Sequence, residues 1–210
     1  MDVCGVILAG GKSSRMGTPK ELLDWGGQPL ILHLAKAIVH EQLPCLVISN
    51  RPERLPSYEL SKLGVTIKPD EGGSYGPISG IVTGFQHTEA ETLLVVSCDL
   101  PFLDEQAIGQ LLAFARREQE WDALVAASGQ KLHPLLAVYH RRTEACWREA
   151  LQAGQYRLMD TLARLRMKII PPKLLDRWAT YNANTPEQYR EALLEKCRRE
   201  AEAKQKQGGL

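Results

Sequence analysis

The sequence predicts an α/β fold, a largely parallel sheet with helices on both faces, and three observations predict it. Short apolar runs alternate with stretches whose apolar residues recur at helical spacing. The first run, Val3 to Leu8, has no polar position, as befits a strand buried on both faces. It leads at once into glycines, so a buried strand feeds a loop.

The elements follow in order. Pro29 opens a helix that carries Ile31, Leu34, Ala35 and Ile38 on one stripe. Cys45 to Ser49 reads as the second strand and Val65 to Ile67 as the third. After Gly76-Pro77 comes a helix striped by Ile78, Ile81, Val82 and Phe85. Leu93 to Ser97 is the next strand, and Ile108, Leu111, Leu112 and Ala115 mark the next helix. Ala123 to Ala127 and Leu135 to Tyr139 read as strands near a turn at Ser128-Gly129. The last helix has Thr185 as N-cap, Pro186 at its first position, Gln188 completing a capping box, and Tyr189, Leu193 and Cys197 on one face. Residues 1–203 are expected to form one domain; Lys204 to Leu210 lack an apolar pattern and are expected to be disordered.

Composition narrows the class. With 44% hydrophobic and 24% charged residues, the chain has the make-up of a soluble globular protein. No stretch approaches the roughly 20 apolar residues of a membrane span, and the Met1-Asp2-Val3 start lacks the basic region of a signal peptide. The five cysteines, Cys4, Cys45, Cys98, Cys146 and Cys197, form no C-x-x-C pair; reduced thiols in a cytoplasmic protein are expected. Residues 141–177 hold 9 Lys/Arg against 4 Asp/Glu. That excess suits an anionic small molecule or a solvated helix face, and is too poor in interleaved aromatics for nucleic acid.

Four segments carry candidate chemistry. In Leu8-Ala9-Gly10-Gly11-Lys12-Ser13-Ser14-Arg15-Met16-Gly17, paired glycines allow backbone N–H groups close to phosphate oxygens, and Lys12, Arg15 and Lys20 supply charge; the alternative is a tight turn. Spacing excludes a P-loop, since the required glycine position is Val6, and a dinucleotide fingerprint, since Gly10 and Gly11 are adjacent. Asp99 ends the strongest strand, where α/β sheets bind ligands, and is a candidate for a metal or a turn cap. Gly76 to Gly80 opens a helix toward an anion or simply packs it. Asn182-Ala183-Asn184 offers amide oxygens to a metal or forms a turn, and His133 is either a substrate contact or structural.

In this order the pieces resemble the molybdenum cofactor guanylyltransferase family. The match runs through L-A-G-G-x-S-x-R-M-G-x-x-K at Leu8 to Lys20, then Leu22-Leu23, Gly26-Gly27, Pro29-Leu30, Ser49-Asn50-Arg51 and Pro69-Asp70. It continues through Gly76-Pro77 with Gly80, Cys98-Asp99-Leu100-Pro101-Phe102-Leu103, His133-Pro134 and Asn182-x-Asn184-Thr185-Pro186. The resemblance implies a Rossmann-like three-layer sandwich that joins GMP from GTP to molybdopterin with release of pyrophosphate, using Mg²⁺. It implies nucleotide contacts at Leu8, Ala9, Gly10, Asn50 and Asp70, triphosphate neutralisation by Arg15 and Lys20, and a metal on Asp99 assisted by Asn184. His133, Arg157 and Asn182 would face molybdopterin. Implied partners are molybdoenzymes or other proteins of cofactor biosynthesis. One departure stands out: Pro19 replaces the aspartate many of these enzymes carry before the lysine, and Pro-Lys is common in the sister cytidylyltransferases. CMP transfer, transfer to a sugar phosphate, and a non-catalytic cofactor-handover module are the rival readings; Arg15, Lys20 and Asp99 together argue against the last.

Overall fold

The computed structural model describes residues 1–10, 16–72 and 76–208. Among these, the strands are β1 (Val3–Leu8), β2 (Cys45–Ser49), β3 (Thr66–Pro69), β4 (Thr92–Ser97), β5 (Ala123–Ser128), β6 (Lys131–His140) and β7 (Met167–Ile169). They form one sheet in the order β3-β2-β1-β4-β6-β5-β7. β1 is parallel to β2 and β4, β2 to β3, and β5 to β7. β6 runs antiparallel to both of its neighbours, so it alone opposes the other strands.

The helices are α1 (Leu30–His40), α2 (Ser57–Lys62), α3 (Pro77–Gln86), α4 (Glu105–Arg117), α5 (Glu144–Gln152), α6 (Leu158–Leu162) and α7 (Pro186–Gly208). Strand side chains alternate between faces, and this alternation builds two cores. Val3 and Ile7 of β1 join Leu34 and Ile38 of α1, Ile108 and Leu111 of α4, and Ala192 of α7 on one face. Cys4, Val6 and Leu8 join Ile81 and Phe85 of α3 and Trp147 of α5 on the other. The result is a three-layer α/β/α sandwich. A Cβ at Gly5 would stand 2.4 Å from Ile38 Cγ2, so α1 packs directly onto the backbone of β1.

The boundaries differ from expectation where turns and prolines intervene. β3 begins at Thr66, because the Val65 N–H bonds to Leu60 O and closes α2. It ends on Pro69, tolerated because β3 is an edge strand with one neighbour. β6 starts at Lys131 rather than Leu135; its pairing with β5 slips between Val125 and Ala126, and Pro134 falls in that irregular stretch, which hides the strand's period.

At α7, Thr185 Oγ1 accepts from Gln188 N–H at 3.2 Å, the expected cap. Gln188 Oε1 accepts instead from Asn184 N–H, one residue ahead of the N-cap. Cys197 is exposed, not on the packed face. The helix continues to Gly208, so Lys204 to Gly208 are helical where disorder was expected. The pairs Lys196–Glu200 and Arg198–Glu202 and a run of strong helix formers carry it past the last apolar residue.

The basic stretch 141–177 spends most of its charge locally. Arg141 and Arg148 pair with Glu144, Arg142 and Arg166 with Asp122, Arg164 with Glu149, and Lys168 with Glu118. Among the described residues, no helix is long and apolar enough to cross a membrane.

Candidate active site

β3, β2, β1 and β4 are parallel, so their carboxyl ends share one edge. The connections leaving that edge enclose a cleft of about 750 Å³. β2 and β3 lie to one side of β1 and β4 to the other, which makes this the switch point where open α/β sheets bind ligands. Leu8, Ala9 and Gly10 form its floor, with Ser49, Asn50, Asp70, Ser97 and Gly76 to Pro77 around it.

One end is built on Asp70, delivered by β3 and tied to β2 by its N–H bond to Ser49 O at 3.0 Å. The Ser79 hydroxyl donates to Asp70 Oδ1, and the Gly72 N–H donates to the same oxygen at 3.2 Å. Thr83, one turn further along α3, accepts the Glu71 N–H at 3.3 Å. A Cβ at Gly72 would lie 2.7 Å from Ser79 Oγ, so this approach requires glycine. Gly76, at φ +83°, turns the chain into α3 with Pro77 next. Burial pushes the Asp70 carboxyl above its ordinary pKa, against the lowering effect of the Ser79 and Gly72 bonds. Asn50 lies against Gly10: a Cβ there would be 3.3 Å from Asn50 Nδ2.

A second cluster, adjoining the cleft, is built on Asp99, just past β4 and 8% exposed. Asn182 Nδ2 donates to its Oδ1 at 2.9 Å, and Lys20 Nζ stands 3.5 Å from its Oδ2. Lys20 also donates to Asn184 Oδ1, so one ammonium bridges Asp99 and Asn184. The Ala183 N–H donates to Asp99 O at 2.9 Å, clipping the segment before α7 onto the end of β4. Lys20 comes from a single 3-10 turn, Lys20–Leu22. The loop after Asp99 is wedged in place: Phe102 sits 5.1 Å from the Trp25 ring and 5.0 Å from that of Trp178.

His133 stands behind this end. Its Nε2 is 2.7 Å from Ser128 Oγ, and burial lowers its pKa. Arg157 is elsewhere, exposed at the start of α6 and without an ion-pair partner among the described residues. Its neighbour Tyr156 places a carbonyl 3.9 Å from where a Cβ would project at Gly76, so Arg157 belongs to the rim beside α3. Arg15, with Gly11 to Ser14, lies outside the described residues.

The structure thus brings Lys20, Asp99, Asn182 and Asn184 into one network, and Leu8, Ala9, Gly10, Asn50 and Asp70 into the adjoining cleft, while His133 bonds to Ser128. Three features escaped sequence reasoning: Ser79 as the partner of Asp70, Arg51 and Arg54 in the cleft wall, and Glu21. Ser79 was legible only as a small residue in a helix start; Glu21 carried no local signal.

The profile of the MobA-like NTP transferase domain matches residues 5–168. A probable molybdenum cofactor guanylyltransferase of Flavobacterium johnsoniae is 30% identical over 184 residues, 87% of this chain and 92% of that protein. One of Bacillus cereus is 31% identical over 190 residues, 90% of this chain and 94% of that protein. Among solved structures, molybdopterin-guanine dinucleotide biosynthesis protein A of Archaeoglobus fulgidus superposes with TM-score 0.73 at 22% identity, covering 90% of this chain and 95% of that one. A CMP:2-keto-3-deoxy-manno-octonic acid synthetase complexed with CTP superposes at 0.67 with 15% identity, covering 97% of this chain and 100% of that one. The fold, the cleft at its switch point and relatives matched over most of their length agree: this chain belongs to the MobA-like NTP transferase family, and is a nucleotidyltransferase.

Proposed function

We propose that the protein transfers GMP from GTP to molybdopterin, releasing pyrophosphate and giving the guanine dinucleotide form of the cofactor. Relatives named for guanylyl transfer, matched over 92% and 94% of their length, support GTP and molybdopterin as the substrates. The observation that carries the chemistry is the Lys20 ammonium bridging Asp99 and Asn184 beside the cleft.

That bridge also tests the fit of a divalent cation. A positive charge already rests between a carboxylate and an amide oxygen, the donor types magnesium takes alongside phosphate oxygens and water. Among the described residues, no three His, Cys, Asp or Glu side chains cluster as a self-sufficient metal cage, so nucleotide oxygens would complete the shell. Asp99 and Asn184 are the residues that would hold Mg²⁺, which would offset charge on the reacting phosphates.

The chain's own residues do the rest by placement. Leu8, Ala9 and Gly10 present backbone to the nucleotide where a side chain would intrude. Asp70, fixed by Ser79 and Gly72, and Asn50 beside Gly10 would hold the nucleoside. Lys20 and Arg15 would neutralise the triphosphate, and Asn182 holds Asp99 in register through its amide. Arg157 on the rim would meet the acceptor's phosphate. The acceptor phosphate is already an anion, so it attacks without a strong general base; catalysis rests on positioning two polyanions and offsetting their repulsion. Buried His133, bonded to Ser128, is not needed as that base.

The test is pyrophosphate release from purified protein with molybdopterin and each of the four nucleoside triphosphates, with and without Mg²⁺. GTP should support release only with molybdopterin and Mg²⁺ present. Faster release with CTP would move the assignment to cytidylyl transfer, and release with a sugar phosphate but no pterin would overturn it.

A further inference from the structure

Arg51 and Arg54 are charges that neither the fold nor the reaction as described above uses. They sit on the 3-10 turn that follows β2, Arg51 as its N-cap and Arg54 as its last residue. The Arg51 N–H donates to Ser49 Oγ at 3.1 Å and the Arg54 N–H to Arg51 O at 3.1 Å, so the backbone under both is fixed to the end of β2. Both residues are exposed, both line the cleft, and neither side chain has a carboxylate partner among the described residues. Asp70 shares the cleft, yet it is held by the neutral Ser79 and Gly72 donors. Two free guanidiniums therefore line the wall beside Asn50.

Topology decides which part of a nucleotide they meet. β2 and β3 lie on one side of β1 and β4 on the other. Lys20, Asp99 and Asn184 cluster past the end of β4, so a triphosphate drawn to Lys20 lies on that side. The nucleoside then crosses the floor of Leu8 to Gly10 toward β2, where Asn50, Arg51 and Arg54 line the wall. Of the common bases, guanine alone sets two acceptors, N7 and O6, side by side on its outer edge. Adenine puts an amino donor next to N7, cytosine presents a donor on that edge, and uracil a single acceptor. A planar guanidinium takes the guanine pair with two parallel bonds.

We infer that the turn from Arg51 to Arg54 reads the O6/N7 edge of guanine with a guanidinium, and so selects GTP over the other triphosphates. This rests on the reading of GTP as the donor, with its phosphates at Lys20. It supplies a chemical reason for the choice of base, on which the Pro19-Lys20 pair is silent.

Calorimetric nucleotide binding in the absence of acceptor, and hence of turnover, tests this. The wild type, Arg51→Gln, Arg51→Lys, Arg54→Gln and Arg54→Lys are titrated with GTP, CTP and two purine analogues. The analogues are 7-deaza-GTP, which lacks the N7 acceptor, and 2-aminopurine riboside triphosphate, which lacks O6. Both positions are exposed, so the substitutions leave the core intact. The wild type should prefer GTP over each analogue by about 5- to 20-fold, the lower range for a bidentate contact to a base. In at least one glutamine variant that preference should fall to within twofold, with binding of the analogues unchanged. The matching lysine variant should recover little of it, since an ammonium keeps the charge and loses the fork. A wild type indifferent to both analogues overturns the inference, as does a preference for GTP retained in all four variants. Equal weakening of every nucleotide, fully rescued by lysine, also overturns it and marks attraction to the triphosphate. Tighter binding of CTP than of GTP by the wild type removes the guanylyl assignment itself, and this inference with it.

Discussion

Asp70 in the cleft and Asp99 beside it are held by different means. Asp70 is gripped by neutral donors, the Ser79 hydroxyl and the Gly72 N–H, on a rigid helix start, and burial raises its pKa. Asp99 is gripped by an amide and an ammonium from segments far apart in sequence, Asn182 and Lys20. The first arrangement suits recognition, since a group fixed by neutral donors keeps one oxygen for a ligand's hydroxyl or N–H. The second suits chemistry, since its cation is exchangeable. Substitutions at the Asp99 end should therefore depress turnover, and those at the Asp70 end should weaken GTP binding.

The largest break should come from Asp99→Ala, which removes the proposed metal contact and the anchor of Lys20 together. We expect kcat to fall about 10³-fold with Mg²⁺ saturating, measured by pyrophosphate release. Near-normal activity would remove Asp99 from the chemistry. Lys20→Met should follow, with a loss of about 10²-fold in kcat and a smaller change in KM for GTP. At the other end, Ser79→Ala deletes one hydrogen bond to Asp70. KM for GTP should rise about 3- to 10-fold with kcat nearly unchanged, in line with 0.5–1.5 kcal/mol for a bond of this kind (roughly); an effect confined to kcat would erase the contrast between the two ends. Arg157→Ala should raise KM for molybdopterin about fivefold and leave KM for GTP unmoved, as suits one exposed charge.

The smallest effect is the pH response of His133. Its folded pKa lies below the ordinary histidine value because burial disfavours the charged ring. As pH falls from that ordinary value toward the lowered one, the unfolded chain takes up a proton that the folded chain refuses. Stability is therefore full above the ordinary value and declines through this window. Thermal midpoints of the wild type should drop there relative to His133→Asn, which has no such proton to take up; parallel curves would mean that the histidine is not strained by its setting.

Much of this architecture was readable before any coordinates. The stripes of α1, α3 and α4 and the runs of β1, β2 and β4 are strong periodic signals, and Leu8 to Gly10, Asp70 and Asp99 fall where parallel strands end. What escaped was written in other terms. The start of β6 is masked because Pro134 and the slipped pairing with β5 break the alternation. Residues 204–208 have no apolar period, and their helix extends one whose preceding turns carry charge pairs. Glu21 and Ser79 are single polar residues whose meaning comes only from what the fold sets beside them. The excess charge of 141–177 suited an anionic ligand or a solvated helix face equally, and most of it is taken up in ion pairs with residues such as Asp122, Glu118 and Glu144.

The clip between Ala183 and Asp99 has a consequence in time. Every strand of the sheet is complete by Ile169, yet Asn182, Ala183 and Asn184 arrive afterwards, and the matched family profile also ends before them. A chain still emerging from the ribosome can close its sheet and form the nucleotide floor while Asp99 and Lys20 lack their partners. The reactive cluster around Asp99 therefore waits for the segment before α7, and the chain becomes competent only after its sheet is complete, with α7 acting as the latch.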